Sequence, residues 1–510
     1  MIFLRDLVKL YFKDKDIVNH HVESFNDFLA NVLDSDKRGT EKIVSENQNS
    51  RMQRIVDDIR VPTDDAERGV IKLDPERTNG RDIEIRIGRK KDKNGVATGE
   101  PTIRVHPPEV TEANGYKHKL TPMEARLRNL NYMSSVEVRF EVYEDGVRKD
   151  LPDDGWVHIG EIPMMVKSNG CNLNRGLVEE TIYDHKIPQA DYDQFLIDAK
   201  EDPREPGGYF IIGGTERVLI TLEDLAPNRI MVEYSERYGT AVETAKVFSQ
   251  KEGYRALTQV EKKKDGILMV SVPAVPQAIP LVALMKALGM ESDKEIHDLI
   301  YSDDGMELTI MANIENSFNT KDYPPNGFHT QDDAIAYLER TFAQGQAKEY
   351  RIKKVESILD RSLLPHLGDS REDRKKKAIF LGRIAKSVLE LSLKKRKEDD
   401  KDHYANKRLK LSGDLMEDLF RTSFTSLIKD LKYQLERNFG RKKAEYNIAS
   451  SIRPDLFTHK LIHALATGNW VGGRAGVSQL LDRTSNMSAM SHLRRITSSL
   501  TRSQIGRAHV

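Results

Sequence analysis

Residues 413–440 place the strongest constraint on what this chain can fold into. Their apolar side chains recur at steps of three and four, which is the spacing of one face of an α-helix. They are Leu415, Leu419, Phe420, Phe424, Leu427, Ile428, Leu431 and Leu435. Gly440 ends the pattern, as glycine commonly does at a helix C-terminus. The sequence therefore predicts one long amphipathic helix here.

Alternating apolar residues predict strands in the first half of the chain. Residues 82–88 alternate isoleucine with polar residues. Residues 136–142 alternate valine or phenylalanine with polar residues in the same way. This period of two is typical of a half-buried strand. Residues 209–220 carry two apolar runs around Gly213-Gly214, which indicates a buried hairpin.

Helical spacing returns over residues 331–344 and 372–397. A chain of 510 residues is long enough for two to four domains. The first 200 residues mix helix and strand patterns, and a second region over roughly residues 221–400 begins with strands and turns helical. We therefore expect a multidomain α+β fold of mixed helices and sheets.

Composition excludes several classes of protein. Charged residues make up 31% and hydrophobic residues 38% of the chain, a profile typical of a soluble globular protein. No apolar run reaches the roughly 18 residues that a membrane span needs, so no membrane partner is predicted. The single cysteine, Cys171, excludes an intrachain disulfide framework and a multi-thiolate zinc site. We expect a cytoplasmic protein.

Charge is balanced over the whole chain but not along it. Lys+Arg and Asp+Glu number 80 each, whereas residues 456–504 carry six cations against the single anion Asp482. Residues 483–504 contain four arginines, one histidine, nine Ser/Thr hydroxyls and no carboxylate. Arginine binds phosphate oxygens bidentately, and hydroxyls add hydrogen bonds that do not read sequence. Any nucleic-acid contact should therefore be local and near this end.

A solvated basic tail is the alternative interpretation of the same residues. Apolar residues that a disordered tail would lack are threaded through the region. They are Leu480, Leu481, Met487, Met490, Leu493, Ile496 and Leu500. The sequence therefore predicts a folded element that presents a cationic face to nucleic acid.

Residue patterns alone give no complete catalytic or metal site. Metal-assisted phosphoryl or nucleotidyl transfer needs clustered carboxylates. The acidic pairs of the chain are predicted to lie in solvated turns; they are Asp153/Asp154, Asp191/Asp193 and Asp303/Asp304. The glycines of residues 468–476 lack the lysine and hydroxyl of a phosphate-binding loop. Cys171 and His158 are more often core and surface residues than a catalytic pair.

Several long motifs, found in order along the chain, carry a family resemblance. They are SFNDFL (24–29), PMEARLRN (122–129), EIPMMVKSNG (161–170), PGGYFIIGGTERVLI (206–220), LEDLAPN (222–228), DHYANKR (402–408), ATGNW (466–470), GVSQLLDR (476–483) and SHLRRI (491–496). Together they resemble the N-terminal half of the second-largest, beta-like subunit of multisubunit DNA-directed RNA polymerase, most closely its archaeal form.

The resemblance implies a domain arrangement. Residues 1–218 and 400–457 would form a protrusion, residues 219–399 a lobe inserted into it, and residues 458–504 a fork. The helix over residues 413–440 should then pack on the chain before Val218. In this family the fork lies beside the active centre and faces downstream DNA and the RNA–DNA hybrid.

The resemblance also implies site residues in the fork, the same region that composition singles out. The expected nucleic-acid contacts are Arg474, Ser478, Gln479, Arg483, His492, Arg494, Arg495, Thr497 and Arg502. Asp482 is expected to be structural. Of the adjacent pair Arg494 and Arg495, one should face phosphate while the other braces the fork, with Asp482 as a candidate partner.

No catalytic residue is expected on this chain itself, which would act as part of a nucleotidyltransferase complex. The resemblance implies that the catalytic Mg²⁺ lies on the largest subunit. The family's zinc site belongs to a C-terminal part that this sequence lacks, so no cofactor is expected here. Expected partners are the other polymerase subunits, above all the largest one and the remaining half of the second-largest one, together with DNA and the RNA–DNA hybrid.

Two other functions remain open at this stage. One is a stand-alone, sequence-independent nucleic-acid-binding protein, and the other is an assembly scaffold whose basic segment contacts an acidic subunit. Residues 505–510 match no family motif and are expected to be a non-native tail. The chain is expected to be truncated, because archaeal splits of this subunit fall further downstream.

Overall fold

A computed structural model gives the structure of the protein. It describes residues 6–7, 10, 17–35, 39–60, 68–78, 80–91, 97–237, 240–251, 253–273, 275, 277–318, 327–342, 345, 347–440 and 447–498. Arg502 and the tail 505–510 lie outside the described residues. Among the described helices, none is both long and apolar enough to cross a membrane.

The chain divides into two compact units, one of them interrupted by the other. The first comprises Met1–Asp224 and Leu409–Val510, and the second is Leu225–Arg408. The first division falls a few residues after position 218 because strand Thr221–Leu225 pairs in parallel with strand Ile496–Ser498 of the same unit. The assignment of these parts as protrusion, lobe and fork stays a prediction.

The first unit contains several small sheets. The five-stranded sheet has the spatial order Trp156–Pro163, Met133–Arg139, Ile103–Val105, Asn31–Ser35, Glu41–Ser45, and the four-stranded sheet has the order Val147–Lys149, Glu141–Glu144, Ile83–Arg86, Val70–Lys72. A three-stranded sheet has the order Phe210–Ile212, Thr215–Leu219, Ser478–Leu480. Strand pairs join Lys90–Lys91 to Ala97–Thr98 and Glu109–Thr111 to Lys117–Lys119.

The helices of the first unit are Asn19–Phe28, Arg51–Asp58, Pro122–Leu127, Arg175–Val178, Gln189–Asp198, Ser412–Gly440, Ile448–Ser451, Pro454–Thr467 and Asn486–Leu493. Short 3-10 or π turns lie at Pro152–Gly155 and Glu179–Tyr183. We call Ser412–Gly440 the long helix, Pro454–Thr467 the groove helix and Asn486–Leu493 the C-terminal helix.

The long helix confirms the prediction from apolar spacing, and all eight predicted apolar residues are buried. It packs on the N-terminal helix Asn19–Phe28, where the rings of Phe28 and Phe420 meet edge to face at 5.9 Å. On another side Phe420 contacts Phe457 of the groove helix at 5.4 Å. The expected packing on residues before Val218 is therefore present.

The predicted strand over residues 136–142 is two strands. Met133–Arg139 belongs to the five-stranded sheet and Glu141–Glu144 to the four-stranded sheet. Between them the amide of Phe140 donates to the carbonyl of Gly155 at 2.8 Å instead of to either sheet. The alternation of buried residues continues through the break, so the sequence pattern alone does not show it.

The predicted hairpin over residues 209–220 is confirmed. Gly213 and Gly214 form its turn with φ angles of 57° and 71°, as a tight hairpin turn requires. Strand Ser478–Leu480 extends this hairpin, with Gln479 opposite Val218. The hairpin therefore holds the beginning of the basic C-terminal region.

The second unit has its own core. Its sheet runs in the order Ile230–Arg237, Thr240–Lys251, Tyr254–Lys262, Leu268–Ser271, Ile279–Pro280. Its helices are Leu281–Ala287, Asp293–Ile300, Asp304–Phe318, Gln331–Phe342, Lys348–Ser357 and Arg374–Ser392. Short turns lie at Ile358–Ser362, Pro365–Leu367, Arg371–Asp373 and Tyr404–Asn406, and strand Lys407–Lys410 follows. The predicted helix at 331–344 is present over Gln331–Phe342, with residues 343–344 outside the described residues, and the one at 372–397 is present over the shorter range Arg374–Ser392.

Candidate nucleic-acid interface

Residues 474–498 form a folded segment, which we call the basic segment. Strand Ser478–Leu480 leads through a turn to the C-terminal helix, which is followed by strand Ile496–Ser498. The C-terminal helix begins with a capping box in which Ser485 and Ser488 exchange side-chain to backbone hydrogen bonds. Leu493 is buried in the core of the unit. The segment is thus a structured part of the domain and not a solvated tail.

Arg483 is held by two carboxylates of the chain. Its guanidinium donates to Glu216 at 2.6 and 2.9 Å and to Glu205 at 3.0 and 3.2 Å. It also lies over the ring of Tyr209, with 5.1 Å to the ring centroid. Burial alone would lower the pKa of Arg483, but the hydrogen bonds to Glu216 and Glu205 raise it. This side chain ties the basic segment to the hairpin.

Arg474 and Ser478 also point inward. The Arg474 guanidinium donates to the Asp224 carboxylate at 2.7 Å, and both side chains are largely buried. The hydroxyl of Ser478 is buried and donates to the carbonyl of Leu465 at 2.7 Å. Both contacts fasten the strand and turn that precede Arg483.

Gln479, Asp482 and His492 form one hydrogen-bond network. Nδ1 of His492 accepts from the amide of Asp482 at 3.1 Å, so the ring proton lies on Nε2. Nε2 is 3.2 Å from Oε1 of Gln479 and donates to it. Burial, and then the positive charge of Arg495, lowers the pKa of His492, which favours the neutral ring that this network needs.

Asp482 shapes the turn before the C-terminal helix. Its Oδ1 accepts from the amide and hydroxyl of Thr484 at 2.9 and 2.7 Å, and these bonds lower the pKa of Asp482. This is a common aspartate turn, in which the carboxylate replaces a backbone acceptor. The structural role expected for Asp482 is consistent with this geometry.

Arg494 and Arg495 lie at the exposed end of the C-terminal helix. Arg494 is its C-terminal cap, and its positive charge contributes, after burial, to the lowered pKa of His20. In the part of the chain that the structure describes, Arg495 has no hydrogen-bond or ion-pair partner for its guanidinium. Thr497 follows two residues later, half-exposed, in the strand beside Thr221–Leu225. These three side chains are among the exposed or half-exposed polar groups of the basic segment.

The sequence interpretation missed the acidic partners and the histidines that anchor the segment. Glu205, Glu216 and Asp224 lie more than 240 residues before the arginines that they bind, and periodicity carries no signal for such pairs. His21 is also distant, and its Nε2 contacts the carbonyl of Leu493 at 2.7 Å. A surplus of arginines without carboxylates nearby in sequence would have justified a search for carboxylate partners elsewhere in the chain.

Among the described residues, one cluster of three or more potential metal ligands is present. It consists of Glu112, His118 and Glu124, with ligand atoms within 4.8 Å of one another. Arg128 binds both carboxylates, at 2.6 Å to Glu112 and 2.7 Å to Glu124. This is an ion-pair network remote in sequence from the basic segment.

The acidic pairs noted in the sequence lie in ordinary surface settings. Asp153 and Asp154 form a turn, and Asp303 pairs with Lys395. Asp191 and Asp193 differ from the expectation, because they lie on helix Gln189–Asp198 and not in a turn.

Comparison with known proteins identifies the family. A family model described as RNA polymerase beta subunit matches residues 16–464. The chain belongs to the RNA polymerase beta subunit family. The resemblance drawn from the motifs is thereby confirmed.

Relatives in this family align with nearly the whole chain. DNA-directed RNA polymerase subunit Rpo2N of Methanocaldococcus jannaschii is 42% identical over 507 residues, covering 99% of this chain and 88% of the relative. The subunit of the same name from Halobacterium salinarum is 40% identical and is covered to 84%. Subunit Rpo2 of Saccharolobus solfataricus is 40% identical over 98% of this chain, which covers 38% of that relative. Family membership therefore rests on both units of the chain.

Proposed function

We propose that this chain is a subunit of an archaeal-type DNA-directed RNA polymerase, where it lines the DNA cleft and positions downstream DNA and the RNA–DNA hybrid. Family membership and the names of the relatives support the polymerase assignment. Its partners would be the other polymerase subunits, above all the largest one. Its reaction, nucleotidyl transfer, belongs to the complex.

The outward guanidinium of Arg495 is the observation that supports a nucleic-acid contact most directly. Arg474 and Arg483 already bind carboxylates, so their charge is compensated within the chain. Arg495 is exposed beside the half-exposed hydroxyl of Thr497. A guanidinium and a hydroxyl bind phosphate oxygens without reading bases, as a transcribing enzyme requires.

The remaining predicted site residues would act by positioning. Arg483 fixes the turn before the C-terminal helix, and His492 joins that helix to the strand that carries Gln479. Arg494, beside His20, would brace the end of the helix. In this proposal Arg495 is the phosphate-facing member of the adjacent arginine pair.

The experiment replaces single arginines within the reconstituted polymerase. Arg495→Ala should weaken DNA binding about equally for unrelated sequences. It should also reduce the steepness of the plot of log binding constant against log salt concentration by roughly 0.7–0.9. Arg483→Ala should instead lower the thermal stability of the chain, since it removes the arginine that pairs with Glu205 and one of the two arginines that pair with Glu216. Arg148→Ala, an equal charge change at an exposed site far along the sequence, is the control. An unchanged salt slope in a well-folded Arg495→Ala polymerase would contradict the contact.

The proposal places the catalytic Mg²⁺ on the largest subunit and the family's zinc site outside this sequence. A stand-alone nucleic-acid-binding protein and an assembly scaffold are the competing functions. Purification from the native source separates them, because a polymerase subunit should co-purify with a large partner and with RNA-synthesising activity. Nucleotide incorporation by this chain alone would refute the division of labour proposed here.

A further inference from the structure

A groove lies between the long helix and the groove helix. Its volume is about 460 Å³, within the usual range of ligand sites. Leu419 and Leu456 are among its apolar lining residues. Lys460 of the groove helix lines it, and so do three further polar side chains of that helix, namely Asp455, His459 and His463.

The spacing of these three residues places them one helical turn apart. Residues four apart on a helix lie on the same face, with Cβ atoms about 5–6 Å apart. His459 and His463 can therefore direct their ring nitrogens to one point, as paired histidines at this spacing do in zinc-binding helices. Asp455 precedes His459 by the same step, on the same face.

His459 and His463 differ from the other histidines of the described chain. Each of the others has a hydrogen-bonding or electrostatic partner for its ring. The rings of His459 and His463 are exposed and have no such partner in the described ranges. The Asp455 carboxylate is likewise exposed and without a hydrogen bond there.

A fourth polar group in the same groove also lacks a partner. Ser423 of the long helix is 1% exposed, and its Oγ has no hydrogen-bond partner among the residues that the structure describes. Nearby hydroxyls on this helix, those of Thr422, Thr425 and Ser426, each donate to the carbonyl four residues earlier. Ser423 with its unbonded hydroxyl and the two unpartnered histidines line the same groove, which favours a polar ligand there.

We propose that this groove binds one divalent transition-metal ion, of the Zn²⁺, Ni²⁺ or Cu²⁺ class, through the imidazoles of His459 and His463. Imidazole is a preferred ligand of these ions. Water completes the coordination shell, and the Ser423 hydroxyl offers a hydrogen-bond partner to a bound water. The groove helix leads directly into the turn at Gly468, so the ion would fix the helix from which the basic segment departs.

Asp455 is a positioning residue in this site. It lies eight residues before His463, about 12 Å along the helix axis, which is too far to share one ion with it. One turn from His459, its carboxylate can accept from the ring nitrogen that does not bind the metal. Such carboxylate–histidine–metal arrangements orient the ring and strengthen its binding.

The test titrates Zn²⁺ into the full chain, free of any histidine tag, by calorimetry. We expect one ion per chain, with binding lost in both His459→Gln and His463→Gln. Asp455→Asn should weaken affinity by about tenfold while keeping the stoichiometry. The controls are His185→Gln, an exposed histidine elsewhere, and His118→Gln, which removes the histidine of the Glu112–Glu124 cluster. Both controls should bind as the unmodified chain does.

A second measurement needs no variant. Zn²⁺ should protect His459 and His463, but not His185, from carbethoxylation in the unmodified chain, as read by mass spectrometry. Absence of zinc binding, binding that survives the double replacement of His459 and His463, or loss only in His118→Gln would each overturn the site. None of these outcomes depends on polymerase activity, so the metal site is tested independently of the proposed function.

Discussion

His21 is buried where the N-terminal helix meets the end of the C-terminal helix. Its Nε2 donates to the Leu493 carbonyl at 2.7 Å, and its buried Nδ1 has no hydrogen-bond partner among the described residues. Burial, and then the charge of His20, lowers the pKa of His21 to about 4. Protonation would place a charge and a second N–H in a site that offers no partner.

This geometry predicts a pH dependence of stability. The pKa of His21 is lower in the folded than in the unfolded chain, where it is about 6.5. Above pH 6.5 the ring is neutral in both states and does not reduce the free energy of unfolding. As pH falls from 6.5 to 4, protonation of the unfolded chain lowers that free energy by about 3 kcal/mol. In His21→Gln the side-chain amide can still donate to Leu493, and this part of the decline should disappear. Urea unfolding at several pH values measures the free energy of unfolding of both proteins. If this free energy falls equally with pH in the two, the prediction is wrong.

Single residues also mark the limit of what the sequence predicts about the site. The surplus of arginine in residues 483–504 correctly drew attention to a folded segment. It did not separate Arg483, which binds Glu205 and Glu216, from Arg495, which faces outward. Asp482 precedes Arg483 and Arg494 precedes Arg495, but neither neighbour identifies the carboxylates that bind Arg483. The difference arises from partners that the fold brings from far along the chain.

At the scale of elements, periodicity predicted the secondary structure well where one face of an element meets one core. The long helix and the hairpin over residues 209–220 are such cases. The strand over residues 136–142 was predicted as continuous because both of its halves alternate in the same way. The chain leaves one sheet and enters the other at Phe140, where the backbone amide bonds to Gly155. The pattern of side chains does not show which backbone group this amide binds.

The start of the long helix depends on close approach of two backbones. A Cβ at Gly413 would lie 1.9 Å from the carbonyl oxygen of Ser24. The Gly413 amide also donates to Ser24 Oγ at 3.0 Å, which holds the two segments at this separation. Gly413→Ala should therefore force the two helices apart and lower the free energy of unfolding by about 1–3 kcal/mol.

Gly305 provides the matched control for this substitution. It also lies in the first turn of a helix, but a Cβ there would make only ordinary contacts, at 3.4 Å from Leu393. Gly305→Ala should leave stability unchanged or raise it by about 0.5–1 kcal/mol, because alanine restricts the unfolded chain. Denaturant unfolding compares the two variants. If Gly413→Ala is as stable as Gly305→Ala, the close approach does not limit the packing.

At the scale of the whole molecule, the two units have separate hydrophobic cores. The core of Met1–Asp224 with Leu409–Val510 includes the long helix, and that of Leu225–Arg408 includes helix Arg374–Ser392. The sequence predicted an inserted region, and it did so through family resemblance. The pattern of strands and helices indicated a second region over roughly residues 221–400, but not that this region interrupts the first.

Separate cores predict that the inserted unit can be removed. The ends of the excised segment belong to strands Thr221–Leu225 and Lys407–Lys410, which are neighbours in one sheet, so a short Gly/Ser linker should join them. Joining Asp224 to Leu409 should leave a remainder that unfolds cooperatively and retains the burial of Trp470, whose indole donates to the Leu415 carbonyl at 3.0 Å. Thermal unfolding of the remainder followed by tryptophan fluorescence measures this. The isolated unit Leu225–Arg408, which contains no tryptophan, is the companion protein and is followed by circular dichroism. A non-cooperative, protease-sensitive remainder would show instead that the interrupted unit needs its insertion to fold.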